Sequence, residues 1–494
     1  MINKFYLTTA INYTNGFPHI GHAYEIIIAD IIARSHRLFN FKVYFLTGSD
    51  EHGQKIETTA RNNNLQPIEL CNNIVNEFMS LNEKLNISNT YYIRTSSNEH
   101  EIFCIDFWNK VFEKGDIYKS IYSGYYSVRE ERYVSENEAA SNNYMDPVTN
   151  INLIKMTEES YFFKLSRYQS AIIEYINNNS DFIFPLERRN EILKRLCEPL
   201  HDISISRQSV GWGIQVPGDI DHVIYVWFDA LLNYLSGLCG QYEFLPIDCH
   251  LIGKDILWFH AIIWIGMLMS AGYQLPLRIL AHGFVNDDVG IKMSKSLGNV
   301  INPVELIDSF GADSLRYYCI KTCKIGDDLN YCETNLKSLN DSDLADNYGN
   351  LINRTLSLIN IKMSGVVRDC DVTGLFDINN LRNILYDMIS KYDYCGYVDV
   401  VMDNLRLVNK YLTEQKPWII DDAVVIEEIM KVVIEAIYVL NHFIYPIIPS
   451  SATKVFSYIG CMINICDLSW NNLKNITVAA DSHILFKRYR KNRK

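Results

Sequence analysis

One grammar of strand, turn and helix occurs twice in this chain, near its start and again past its middle, and it leaves few folds open. FYLTTAI (5–11) reads as a buried strand and YTNGFP as a turn. Residues 21–39 then place Ala23, Ile26, Ile27, Ala29, Ile31, Ile32 and Leu38 at helical spacing. KVYFLTG (42–48) is a second buried strand, and SDEHGQKIETTARNN opens a second helix. The grammar returns in DCHLIG (248–253), an apolar helix from Asp255, RILAHGF (278–284) and NPVELIDSFGADSLRYY (302–318). The last is read as one helix with Pro303 at its first position. Short, uniformly apolar strands alternating with helices predict an α/β fold with a doubly wound parallel sheet.

The 494 residues suggest about three domains. Between the halves of the sheet, residues 117–222 have a different texture, rich in Tyr and Ser, and read as an inserted module. The boundaries expected are 1–116 for the first half of the sheet domain, 117–222 for the insert and 223–330 for the second half. A helical bundle over 331–470 and a basic tail over 471–494 follow.

A net charge of −12 argues against nonspecific nucleic-acid binding, which draws on a basic surface. It leaves room for an RNA held on a local basic face. The run from Lys487 to Lys494 is such a face or a solvated tail. Twelve cysteines lie scattered without a C-x-x-C pair, which suggests reduced thiols in a cytoplasmic protein. The first residues carry no secretory pattern. Residues 256–273 are uncharged apart from His260 and could be a buried helix or a short membrane span; a buried helix is expected.

Two motifs carry chemistry. Pro18-His19-Ile20-Gly21-His22 falls between the first strand and first helix, where open α/β sheets bind ligands and where a helix N-terminus offers N–H groups to phosphate. Two histidines in a loop are also ordinary surface residues; the strand-end position is what favours a site. Lys292-Met293-Ser294-Lys295-Ser296 follows a strand and a loop, and its lysines suit a polyanion such as triphosphate. A lysine–serine run alone is commonly solvated surface.

With these motifs in this order the chain resembles the class I aminoacyl-tRNA synthetases. Within that class it is similar to the methionyl-tRNA synthetases over nearly its whole length. The supporting stretches are AINYTNGFPHIGH (10–22), TGSDEHGQKI (47–56), YVWFDALLNYLS (225–236), GKDILWFH (253–260), ILAHGF (279–284), LADNYGNLINRT (344–355) and EQKPW (414–418). The resemblance implies a Rossmann-like catalytic domain with an inserted connective module, followed by an all-α anticodon-binding bundle. It implies methionine activation by ATP with Mg2+, then transfer to tRNA(Met), initiator included. His19, His22, Lys292 and Lys295 would be catalytic, and Asn15, Gly21, Asp255 and Lys295 would bind ATP. Ile11, Tyr13, Asp50, Trp227, Ala230, Tyr234, Phe259, His260 and Trp264 would bind methionine, with Asp50 on the amino group. Trp227, Ala230 and Tyr234 would share a helix face, and the Tyr234 hydroxyl and His260 ring would pair with the sulfur. Asn350, Arg354 and Trp418 would read the anticodon, although Trp418 after Pro417 also fits a buried helix start.

Many relatives hold zinc in a C-x-x-C knuckle within the insert, but residues 123–153 contain neither cysteine nor histidine. No structural zinc is expected. A monomer without membrane attachment is expected too. Two alternatives remain: another class I synthetase, for cysteine or a branched amino acid, and a catalytically silent tRNA-binding relative. The first lacks its zinc cluster or its large editing insertion here; the second would have lost signature residues that this chain keeps.

Overall fold

The structure is a computed structural model describing residues 3–127, 132–134, 136–146, 151–208, 210–291, 293, 298–461, 468–480 and 484–490. Lys292 and Lys295, parts of the 123–153 stretch and the last four residues of the basic run lie outside these. The main sheet is parallel throughout. Strand β1 (Lys4–Thr9) pairs on one side with β3 (Lys42–Asp50), which also takes β2 (Asn12–Tyr13) and β4 (Tyr91–Arg94). On its other side β1 pairs with Cys249–Gly253, and Ile279–His282 lies beyond. The strand order therefore reverses at β1, and a crevice opens at the carboxyl ends there.

Between β1 and β3 runs helix α1 (Ile20–Leu38), whose Ala23, Ile27, Ile28, Ile31 and Ile32 are fully buried. Burying such side chains contributes about 1.5–3 kcal/mol for each large one. The strand ends are thus held where the turn 14–19 must deliver His19 and the first turn of α1 must deliver His22.

Two elements differ from the sequence reading. The helix expected over 302–318 is two helices, Pro303–Phe310 and Ala312–Thr322. Gly311 between them has φ +83°, a left-handed conformation that ends the first helix and that glycine adopts without strain. Within the expected insert, Ile117–Ser127, Arg132–Val134, Ile154–Phe163 and Ile203–Ser204 form an antiparallel sheet of their own. Ile183–Phe184, from the same span, instead pairs in parallel with Ile279–Leu280 and supplies the outer strand of the main sheet. Residues 256–271 form the expected buried helix, continuous through a π-helical segment at Phe259–Ile263, with Ala261 to Leu268 buried. Among the described residues no helix is long and apolar enough to cross a membrane.

The helices Asn350–Met363, Ile378–Ser390, Tyr394–Gln415, Ala423–Ile444 and Pro449–Tyr458 form the bundle, and their apolar core is continuous with that of α1. The joint is an ion cluster. Asp30, fully buried on α1, accepts from Arg34 Nε (2.7 Å) and from Ser88 N and Oγ (2.7 and 2.6 Å). Arg316 Nη2 stands 2.7 Å from the same carboxylate. Arg316 also donates to the carbonyls of Ile447, Pro446 and Leu85, and Arg34 to Tyr445 Oη. Burial works to raise the Asp30 carboxyl, but the two guanidiniums outweigh it and hold it below the usual range.

Removing the carboxylate would leave two buried cations facing each other. Asp30→Asn is expected to destabilise the fold by about 3–5 kcal/mol, the usual result of breaking a buried pair. Urea unfolding measures this, and an unchanged midpoint would contradict the role given to the cluster.

Candidate functional site

His19 is the N-cap of α1, with extended backbone. The Gly21 backbone N–H donates to His19 Nδ1 and the His19 N–H donates to His22 Nδ1, each at 3.1 Å. The rings stack at 3.8 Å between centroids. Because both Nδ1 atoms accept, each neutral ring carries its proton on Nε2, the donor form that a phosphate oxygen can use. A Cβ at Gly21 would lie 3.0 Å from the His19 ring, so a larger residue would push the imidazole from its place.

The histidines line a cavity of about 520 Å³ at the strand ends. Ile11, Tyr13, Gly21, Asp50, Trp227, Ala230, Tyr234, Asp255, Phe259 and His260 line it too. Asn15 does not; it is exposed in the preceding turn. Trp264 does not either. It is fully buried behind Tyr234, with ring centroids 5.8 Å apart, and its indole N–H donates to His250 Nε2 at 3.2 Å. Of the second lysine motif only Met293 is described, and it lines the cavity.

Also in its lining, Trp227 and Phe259 stack at 3.8 Å with 10° between planes. The stretch carrying Trp227, Ala230 and Tyr234 is two short helices, Val226–Ala230 and Asn233–Ser236, rather than one, yet all three residues reach the cavity. Tyr234 Oη and His260 Nε2 are 2.7 Å apart, and His260 Nδ1 is 3.0 Å from the Ile256 carbonyl. A carbonyl only accepts, so Nδ1 holds the ring proton and Nε2 accepts from the tyrosine. The two groups expected to pair with a sulfur are thus committed to each other. They offer a ligand the tyrosine oxygen and the ring faces rather than a spare proton.

A further pair was not anticipated. Glu25 on α1 and His282 at the end of its strand both line the cavity, and Glu25 Oε2 lies 2.9 Å from His282 Nε2. The sequence signal was present, since Glu25 follows His22 by three positions on one helix face. On the bundle, Asn350 and Arg354 share the helix Asn350–Met363, and the Arg354 guanidinium lies 5.5 Å from the Trp418 ring centre. Trp418 is 39% exposed, so it is not a buried helix-start residue.

Burial holds His260 down at about 4. Its folded value is below the ordinary 6.5, so the unfolded chain takes the proton first, and this histidine's contribution to stability is lost as pH falls from 6.5 toward 4. NMR of labelled histidine should find this ring neutral, protonated on Nδ1, from pH 8 to about pH 5. A titration near 6.5 would contradict the geometry.

Comparison with known proteins gives the lineage. The family described as "tRNA synthetases class I (M)" matches residues 5–142 and 138–356. The methionine–tRNA ligase of Rhizobium meliloti (strain 1021) is 39% identical over 477 residues, covering 93% of this chain and 92% of the relative. That of Brucella suis biovar 1 (strain 1330) is 40% identical over 479 residues, covering 92% of each. Among solved structures, Mycobacterium tuberculosis methionyl-tRNA synthetase in complex with methionyl-adenylate superposes with a TM-score of 0.90 at 34% identity, covering 98% of this chain and 100% of that one. Its apo form gives 0.84 at 33% identity, covering 99% of each. The chain belongs to the methionine–tRNA ligases, a family of class I aminoacyl-tRNA synthetases.

Proposed function

We propose that two sets of residues lining the cavity divide the activation of methionine between them. A methionine–tRNA ligase joins methionine to tRNA in two steps. The methionine carboxylate attacks the α-phosphorus of ATP, a new P–O bond forms, and the bond to the bridging oxygen breaks to release pyrophosphate. The ribose hydroxyl at the 3′ end of the tRNA then attacks the carbonyl carbon and AMP leaves. Neither step needs a covalent bond to the enzyme; both need alignment and donors placed where charge develops.

The observation that carries this reading is one cavity lined both by two Nε2–H imidazoles and by a stacked aromatic pair. His19 and His22 donate to the phosphates. The backbone at Gly21 lets them approach, Asn15 stands at the entrance, and Asp255 faces the nucleoside. Lys292 and Lys295 neutralise the departing pyrophosphate. Asp50 takes the ammonium group of methionine. Ile11, Tyr13, Trp227, Ala230, Tyr234, Phe259 and His260 enclose the thioether, where sulfur–aromatic contacts contribute about 0.3–1.5 kcal/mol each. Trp264 acts one layer out, by holding Tyr234.

Mg2+ accompanies the ATP. Hard cations take oxygen ligands, and the exposed Asp255 carboxylate on the rim is compatible with an ion held chiefly by phosphate oxygens. Its chemistry there would be charge neutralisation. The partner is tRNA(Met), initiator included, with Asn350, Arg354 and Trp418 on the anticodon. An exposed tryptophan with an arginine over its ring suits stacking of unpaired bases. The enzyme acts as a monomer in the cytoplasm.

The direct test is methionine-dependent exchange of pyrophosphate into ATP by the purified protein, with cysteine, leucine, isoleucine and valine as competitors. Exchange with methionine alone is expected, in the presence of a zinc-selective chelator; exchange with another amino acid would overturn the assignment of the pocket. His22→Ala should lower the exchange kcat by about 10²–10³-fold, the usual effect of losing one transition-state donor, with KM for methionine little changed. Trp418→Ala should leave exchange intact and weaken tRNA binding by about 1–3 kcal/mol, the worth of one stacked base. Aminoacylation kinetics against tRNA concentration separates the two effects.

A further inference from the structure

Behind the aromatic wall lies a fully buried carboxylate that the reaction does not use. Asp229 sits in the helix Val226–Ala230, between Trp227 and Ala230. Its Oδ2 is 2.6 Å from His52 Nδ1 and its Oδ1 is 2.6 Å from His100 Nε2. His100 Nδ1 in turn is 2.7 Å from Ser236 Oγ, and Cys104 Sγ lies 3.2 Å from His100 Nε2. His100, Cys104 and Asp229 are residue types that bind metals, but the spacing is against it. Donors around a tetrahedral ion at about 2.0–2.1 Å stand about 3.3 Å apart. A nitrogen and an oxygen at 2.6 Å share a proton instead.

The cluster connects three segments. His52 follows Asp50 by two residues at the carboxyl end of β3. His100 and Cys104 belong to the helix Asn98–Glu113, and Ser236 ends the helix that carries Tyr234. Burial works to raise the Asp229 carboxyl, but the two imidazoles outweigh it and hold it at about 2. Burial likewise disfavours the charged His52 ring, and Asp229 outweighs it, so the ring's affinity for its proton is raised.

We infer that the His52–Asp229–His100 bridge is a positioning device that fixes the separation between Asp50 and the wall formed by Trp227, Ala230 and Tyr234. Asp50 anchors the amino group and the wall receives the side chain, so the bridge sets the length of amino acid that fits. This inference rests on the reading of the cavity as the methionine site. His52 and Asp229 touch no substrate; they act through Asp50 and Trp227.

The test uses the full chain in pyrophosphate exchange. His52→Ala should raise KM for methionine by about 10–100-fold, the scale of a misplacement near 1 Å, and leave KM for ATP unchanged. It should also reduce the preference for methionine over ethionine, which is one methylene longer. His52→Asn, whose amide nitrogen overlays Nδ1, should restore most of both. Where His52→Ala does not fold, Asp229→Asn gives the same reading, since it keeps the volume and removes one accepting oxygen. Trp227→Ala serves as the control on the site itself. If Trp227→Ala raises KM for methionine but the folded bridge variants do not, the bridge is structural only and the inference falls. If Trp227→Ala leaves that KM unchanged, the reading of the pocket falls and takes the inference with it.

Discussion

Asp30 holds together parts of the chain that have little else in common. Its carboxylate is shared by a guanidinium from its own helix and one from the helix Ala312–Thr322, and those arginines reach on to Tyr445, Pro446 and Ile447 in the bundle. A lone carboxylate there would be expelled by its desolvation cost, and a lone arginine equally; only the complete set is tolerable in an apolar surrounding. The consequence is orientation. The cluster sits on the helix whose N-terminus carries His19 and His22, so the histidines of the cavity and the base of the bundle are referred to one rigid rod.

The same economy of protons runs through the cavity. At His19 and His22 backbone N–H groups occupy both Nδ1 atoms and so decide which nitrogen of each histidine can donate. At His260 a carbonyl fixes the tautomer, which in turn directs the Tyr234 hydroxyl. None of these rings needs a charge to do this. Neutral, pre-aligned donors avoid the cost of burying an ion and need little reorganisation when charge develops on a phosphate.

Much of this was legible in the chain. Parallel strands buried on both faces are uniformly apolar, so β1, β3, Cys249–Gly253 and Ile279–His282 were visible by composition alone. The turn at His19 followed from its place after such a strand. What stayed hidden was of three kinds. A strand of two residues, Ile183–Phe184, has no periodicity to read. A match along one dimension does not separate a ring that lines a cavity from one directly behind it, as Trp264 lies behind Tyr234. Pairings across the fold have no local signature: Glu25 and His282 are 257 positions apart, and His52 and Asp229 are 177 apart.

The short strand Ile183–Phe184 bears on how far this protein could be pared down. It belongs by sequence to the module threaded between the halves of the sheet, yet it forms the hem of that sheet. The Phe182 carbonyl accepts from the Ile279 N–H, which would otherwise face outward on an open β edge. Such edges recruit further strands from other molecules. A shortened enzyme that dispensed with residues 117–222 entire would expose this edge and be prone to aggregate from it. Any workable truncation has to leave the hem stitched in place.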